Sequence, residues 1–369
     1  MTNSNHQPKL SKEEIDSVLS LYSNGQYQEA INQIKVLNKA YPNVPLLFNL
    51  VGACYKALGQ LEGSVKMFET AVNIKPDYAE AHKKLGIALR DLGKMDKAIE
   101  SLKNAISAEP KYVDAYYNLA ITFKEQGQLH DAVKSYQKAI EINPNFAQAY
   151  NNLGNVFNDL RKVKTGFKYF EKAIEINPNF AEAHRNLGNS LRKLKQRESA
   201  LACFENARKI KPEMEFILGD ILISKMQLCI WKDLPKLLNE LALKINNNEK
   251  AIAPFPLLSL IDNPELSRKN SELYSHVMYP KNNTLAPIID YPKHPKIRIG
   301  YFSADFREHP LAYLTAELYE LHDRDHFEVH AFSFGPDTQD ELNLRIKEGV
   351  DHFHNVPVSY THLTLPTIA

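Results

Sequence analysis

Proline recurs every 34 residues in the first part of this chain, at Pro42, Pro76, Pro110, Pro144, Pro178 and Pro212. A proline cannot continue a helix beyond its first turn, so six evenly spaced prolines mark six equivalent helix ends. Frames starting at residues 11, 45, 79, 113, 147 and 181 align further columns. The eighth position reads Val18, Gly52, Gly86, Ala120, Gly154, Gly188, and the twentieth reads Ala30, Ser64, Ala98, Ala132, Gly166, Ala200. Small residues at two fixed points predict two helices per frame, crossing too closely for larger side chains. The twenty-fourth position is bulky (Ile34, Phe68, Leu102, Tyr136, Phe170, Phe204) and is expected to fill the space between neighbouring hairpins. Such a period builds a helical solenoid in which each unit buries its apolar face against the next. The first frame departs most, with Val18 and Leu37 where small residues recur later, as an end unit would.

The period and its columns resemble the tetratricopeptide repeat, and residues 11–214 read as six copies behind a polar tail, 1–10. The sixth position holds Asn118, Asn152 and Asn186 in three successive copies, on the helix side expected to face the inner surface of the superhelix. A primary amide both donates and accepts, so such a ladder can bind the backbone of an extended peptide. Asparagine also recurs in such repeats as a residue that caps or bridges helices, and both readings stand.

Bulk properties narrow the partners. The 45 Lys+Arg and 44 Asp+Glu leave a formal net charge of +1, which provides no electrostatic footprint for nucleic acid. No apolar run approaches the ~20 residues of a membrane helix, and the amino-terminal residues lack an apolar signal core. Cys54, Cys203 and Cys229 stand singly and read as small buried hydrophobes in a reducing, cytoplasmic compartment.

After Pro212 the period weakens, and residues 215–292 read as a repeat-like cap and a packed connector punctuated by prolines. At Lys296 the pattern changes class. Ile297–Ser303 alternates with β-branched and aromatic residues, Pro310 opens a helix with Leu311, Leu314, Leu318 and Leu321 at helical spacing, and Phe327–Phe334 reads as a second strand. Strand, helix, strand is a βαβ unit of a parallel sheet. Further strands are not expected within the chain, so the unit should stand alone with unpaired edges.

The connector stretches Lys225–Asp233 and Pro254–Leu258, then Ile297-Arg-Ile-Gly-Tyr-Phe-Ser-Ala-Asp-Phe306 with His309-Pro310, and Phe327–Asp337 resemble the protein O-linked N-acetylglucosamine transferases of bacterial type. The resemblance covers roughly residues 11–356 and departs at Tyr313, where some relatives carry a histidine. It implies an α-solenoid followed by the start of a Rossmann-like α/β lobe, 293–356, of a two-lobed GT-B glycosyltransferase. The last thirteen residues, 357–369, look like translated sequencing-adaptor read-through, so the chain is expected to be a truncated gene product whose family match stops at Val356.

The resemblance also implies the chemistry: transfer of a sugar from UDP-GlcNAc, with inversion and without metal or other cofactor, to a Ser or Thr hydroxyl of an acceptor protein. The repeats would hold the acceptor peptide and a second lobe the donor, leaving the chain by itself inactive. His309 is carried over to the acceptor side of the site, either as the base or as a group that orients the hydroxyl. It follows the carboxyl end of the first strand and precedes a helix amino end, which disfavours imidazolium. Asp305 is expected to order that loop, or to orient His309. Asp323-Arg324-Asp325 spells the Asp-x-Asp of metal-dependent glycosyltransferases but lies in the helix-to-strand turn and reads as a charged turn. His322 and His326 lack the helix and glutamate of a zinc protease motif, so no metal site is expected. Two other readings are a related protein O-fucosyltransferase using GDP-fucose and a tetratricopeptide scaffold without chemistry.

Overall fold

A computed structural model of the chain describes residues 10–278 and 294–356. The expectations for the first nine residues, for 279–292 of the connector and for the 357–369 tail lie outside the described residues. The chain divides into two compact units, Met1–Lys281 and Asn282–Ala369, each considered by itself.

In the first unit, helices α1 (Lys12–Ser23), α3 (Pro45–Ala57), α5 (Ala79–Asp91), α7 (Val113–Glu125), α9 (Ala147–Asp159) and α11 (Ala181–Lys193) open the six hairpins. Helices α2 (Tyr27–Ala40), α4 (Leu61–Ile74), α6 (Met95–Ala108), α8 (Leu129–Ile142), α10 (Val163–Ile176) and α12 (Arg197–Ile210) close them, each ending two residues before its proline. A Ser11–Glu14 capping box starts α1 by satisfying two orphan amides.

The bulky column packs more locally than expected. A Cβ added to Gly154 would lie 2.6 Å from Phe170 Cε1, one on Gly188 2.6 Å from Phe204 Cε1, and one on Gly86 2.6 Å from Leu102 Cγ. Each large side chain therefore lies over the glycine of its own hairpin. Phe170 and Phe204 also share a core with Ala181, Leu187 and Leu191 of the sixth repeat, so one ring joins both levels of packing. The glycines at the hairpin turns have a different task. Gly25, Gly59, Gly93 and Gly127 adopt φ of 74–79°, and in the last two repeats Arg161 and Lys195 take the same left-handed conformation at φ 62° and 64°.

After the sixth repeat, α13 (Ile217–Gln227) and α14 (Leu234–Asn246) form the cap, followed by the short α15 (Pro254–Leu257) and α16 (Pro264–Met278). Leu218, Leu222, Leu241, Ile245, Ile252 and Leu257 fill their common core. Asp220, only 8% exposed, fastens the cap to α11 by pairing with Arg185 Nε at 2.8 Å and Arg192 Nη1 at 3.1 Å.

In the second unit, β1 (Ile297–Ser303), α17 (Pro310–Glu320) and β2 (Phe327–Ser333) form the βαβ unit read from the sequence. The chain then adds α18 (Glu341–Glu348) and a third strand, β3 (His352–Asn355), which corrects the expectation that β1 and β2 stand alone. His-Phe-His-Asn is short and polar, so it carries little strand signal. The order is β1-β2-β3, all parallel, with Ile297 opposite Phe327 and His330 opposite His352. This is the progression that begins a doubly wound, Rossmann-like sheet.

Both crossover helices cover one face. Ala312, Ala316 and Tyr319 of α17 and Leu342 and Ile346 of α18 pack on Val329 and Ala331. The leucine stripe of α17 does not form this core: Leu311, Leu314, Leu318 and Leu321 are exposed within the unit, Leu314 by 82%. The two alanines let the helix approach the sheet more closely than the leucines would.

Candidate functional site

The loop Ala304–Glu308 leaves the carboxyl end of β1 and delivers His309, an extended residue (φ −149°, ψ 143°), to the start of α17. Its conformation is held from several sides. Gly335, following β2, lies so close to Ala304 that no side chain fits between the two backbones. Asn343, fully buried on α18, donates its amide to Phe306 O at 2.5 Å, and Glu308 N donates to Asp340 Oδ2 at 3.1 Å. Phe306 is buried against Tyr319 and Phe353. Asp340 also accepts from Asn343 N and from the Thr338 hydroxyl; that hydroxyl first, then the backbone amides, hold its carboxyl below the usual carboxylate range.

His309 serves as the N-cap of α17: its Nδ1 accepts from Leu311 N at 3.2 Å. A ring that accepts at Nδ1 carries its neutral-state proton on Nε2, which then donates rather than accepts. Asp305 Oδ2 lies 3.9 Å from the same Nδ1, beyond hydrogen-bond range, while Asp305 Oδ1 stands 3.5 Å from Arg307 Nη2. The backbone N–H of Asp305 donates to Ser303 Oγ at 3.0 Å. The side chain is thus available to turn toward His309 but is not bonded to it.

In the first unit, α3 contacts α5, α5 contacts α7, α9 contacts α11, and the Asn152–Tyr117 hydrogen bond joins α9 to α7, so the opening helices from α3 to α11 line one face. Asn118, Asn152 and Asn186 sit half-buried on α7, α9 and α11. Their amides already work inside the chain. Asn118 Nδ2 donates to Asp114 O at 2.8 Å, Asn152 Nδ2 to the Tyr117 hydroxyl at 2.9 Å, and Asn186 Nδ2 to Asn151 Oδ1 at 2.9 Å. Asn151 in turn donates to Asn152 Oδ1 at 3.3 Å, making a polar relay across three repeats. Each NH2 retains a second hydrogen, so bridging between repeats and contact with a peptide are compatible.

The Asp-x-Asp turn is structural. Arg324 Nη2 donates to Tyr319 O at 2.8 Å and Gly349 O at 2.6 Å, tying the ends of α17 and α18, while Asp323 Oδ2 and His326 Nδ1 lie 2.6 Å apart. Burial raises the Cys54 thiol and pushes Cys203 up to about 11, as unreactive cysteines require. Cys229 differs from expectation: it is exposed, in a left-handed turn after α13.

Sequence reasoning passed over one cluster. Glu328, His330 and His352 converge on the sheet face away from α17 and α18. The sequence carries a Glu-x-His on one strand and a His-x-His on another, both at the two-residue period of a strand, but their meeting depends on β3, which is too short and polar to show a strand pattern of its own.

A solenoid of helical hairpins leading into a parallel α/β unit defines the class: a repeat protein joined to a Rossmann-like lobe. Comparison with known proteins supports this. Tetratricopeptide-repeat models match residues 52–89, 88–127, 122–160, 147–180 and 181–214, and the model of glycosyl transferase family 41 matches 278–362, running past Val356. The probable UDP-N-acetylglucosamine–peptide N-acetylglucosaminyltransferase SEC of Arabidopsis thaliana is 25% identical over 143 residues, 35% of this chain and 15% of its own length. The chain thus spans a small part of that relative. Among solved structures, the Cut9–Hcn1 hetero-tetramer of the APC/C aligns with a TM-score of 0.50 at 16% identity, covering 69% of this chain and 47% of that one. The C-terminal part of a repeat protein from Cytophaga hutchinsonii gives 0.49 at 18% identity, covering 69% and 98%. At 16% identity the likeness to the Cut9–Hcn1 structure is one of fold. The chain combines tetratricopeptide repeats with a segment that matches glycosyl transferase family 41, and it is similar to an N-acetylglucosaminyltransferase over about a third of its length. Among the described residues, no helix is long and apolar enough to cross a membrane.

Proposed function

We propose that this chain belongs to a protein O-GlcNAc transferase that moves a sugar from UDP-GlcNAc to Ser or Thr hydroxyls, with inversion and without a metal in the reaction. The observation that carries the reading is His309-Pro310 at the carboxyl end of β1, within the family 41 segment, where parallel α/β sheets place their sites. Extended acceptor peptide would lie along the face that carries Asn118, Asn152 and Asn186. The donor would be held by a second lobe, so the 369-residue chain by itself is expected to bind peptide without transferring sugar. A cytoplasmic setting fits this reading.

The geometry favours orientation over base catalysis for His309. With Nδ1 engaged by Leu311 N–H, Nε2 offers a proton to the acceptor oxygen and steers it. Base action would require the other tautomer, with Nδ1–H turned to Asp305. The test is a donor assay in a protein containing the complete catalytic region. His309→Asn keeps a side-chain acceptor for Leu311 N, so a fall in transfer with unchanged helix stability supports the reading. Unchanged UDP release by both His309→Asn and His309→Ala would sink it. Transfer from GDP-fucose in place of UDP-GlcNAc would favour the fucosyltransferase, and peptide binding without any transfer the scaffold.

A further inference from the structure

We propose that Glu328, His330 and His352 bind a divalent transition-metal cation on the sheet face opposite α17 and α18. This does not depend on the transferase reading. The cluster lies toward the amino ends of β2 and β3, whereas His309 follows the carboxyl end of β1.

Strand geometry assembles the site. Glu328 and His330 are two apart on β2 and share a face, and His352 is the direct partner of His330 across the parallel pair. The Nε2 atoms of His330 and His352 each lie 3.1 Å from Glu328 Oε1, and the three donor atoms fall within 4.8 Å of one another. Donors bound at about 2.0–2.2 Å to a tetrahedral cation stand roughly 3.4 Å apart. Small side-chain rotations therefore suffice. Two imidazoles and a carboxylate suit zinc, cobalt, nickel or iron(II), whereas calcium and magnesium prefer all-oxygen sets.

The surroundings hold these donors. His354 Nε2 stands 3.1 Å from His330 Nδ1, so His330 can donate there and turn the Nε2 lone pair to the cation. Arg298 Nε engages Glu328 Oε2 at 3.1 Å and leaves Oε1 for the metal. Ring stacking, with centroids 4.5 Å apart for His330–His352 and for Phe332–His354, restrains the rotamers. His330 is 9% exposed while His352 is open to solvent, giving one anchored ligand and one at the entrance. A cation bridging β2 and β3 would pin a strand of four residues in register, so its binding energy becomes stability of the sheet.

Cobalt(II) titration of the metal-free, untagged chain, followed by visible absorption, tests this. One cobalt per chain is expected, with ligand-field bands, no thiolate charge-transfer band and displacement by zinc. His352→Ala and Glu328→Gln, on different strands, should each weaken binding about tenfold or more. Their metal-free circular dichroism should match the parent, and zinc should raise the melting temperature of the parent alone. The proposal fails if the parent takes up no cobalt at millimolar concentration, if the band is that of a thiolate, or if both folded variants bind as the parent does.

Discussion

Gly154 and Phe170 occupy one space: the phenyl ring lies where the Cβ of any larger residue would stand, 2.6 Å from that position. The ring is fully buried and the same pairing recurs at Gly188 and Phe204. The hairpin thus closes to the distance that a glycine allows, and the large residue sixteen positions later is the complement of the missing side chain.

Gly154→Ala should therefore destabilise. Overpacking costs about 1–3 kcal/mol, and the helix propensity of alanine recovers about 1 kcal/mol, leaving a net loss of about 1 kcal/mol in urea denaturation. In a Phe170→Ala background the sign should reverse, since no side chain then fills the notch and only the propensity remains. A loss of equal size in both backgrounds would show that the ring is not the obstacle.

Asp220 stands almost out of water between Arg185 and Arg192. Asp220→Ala leaves two guanidinium groups without their acceptor and loosens the cap from α11. Because both arginines are about one-third exposed, a loss of about 1–3 kcal/mol is expected, below that of a fully buried pair. Breaking the exposed Lys138–Glu141 pair should produce no measurable change by the same denaturation assay.

Lys195 adopts the left-handed conformation that glycine supplies in four earlier repeats. Lys195→Gly should relieve that strain and raise the urea midpoint, by about 0.5–1 kcal/mol of stability after the extra unfolded-state freedom of glycine is counted. A lower midpoint would mean that the lysine side chain contributes contacts outweighing its backbone.

The carboxyl of Asp340 is held below its ordinary range by the Thr338 hydroxyl and by the amides of Asn343 and Glu308. A depressed folded-state value means stability that is present above the unfolded value, about 4, and lost as pH falls through the lower folded one. Thermal melts of the parent should exceed those of Asp340→Asn at pH 7, and the gap should close on acidification below about pH 4. A gap that persists in acid would contradict the assignment.

Much of this molecule was legible one segment at a time. The prolines and small columns located twelve helices, and alternation marked β1 from Ile297 to Ser303 and β2 from Phe327. Reading failed where a residue has no local signature. The leucines of α17 show helical spacing, yet the alanines between them meet the sheet. β3 is four residues with two histidines, and only its pairing with β2 makes it a strand. At the candidate site the sequence pointed to His309, but not to the Leu311 amide that sets which ring nitrogen can act.

The hairpin period, its end points and the change from helical to parallel α/β architecture are written in the chain residue by residue. These follow from short-range sterics, since proline, glycine and side-chain periodicity act within a turn or two of chain. Long-range packing and pairing set which residue fills each glycine notch, which face of α17 is buried, and that His352 lies opposite His330. The glycine notches join positions 16 residues apart and the histidine pair positions 22 apart, through packing and strand register, and nothing in the local chain encodes them.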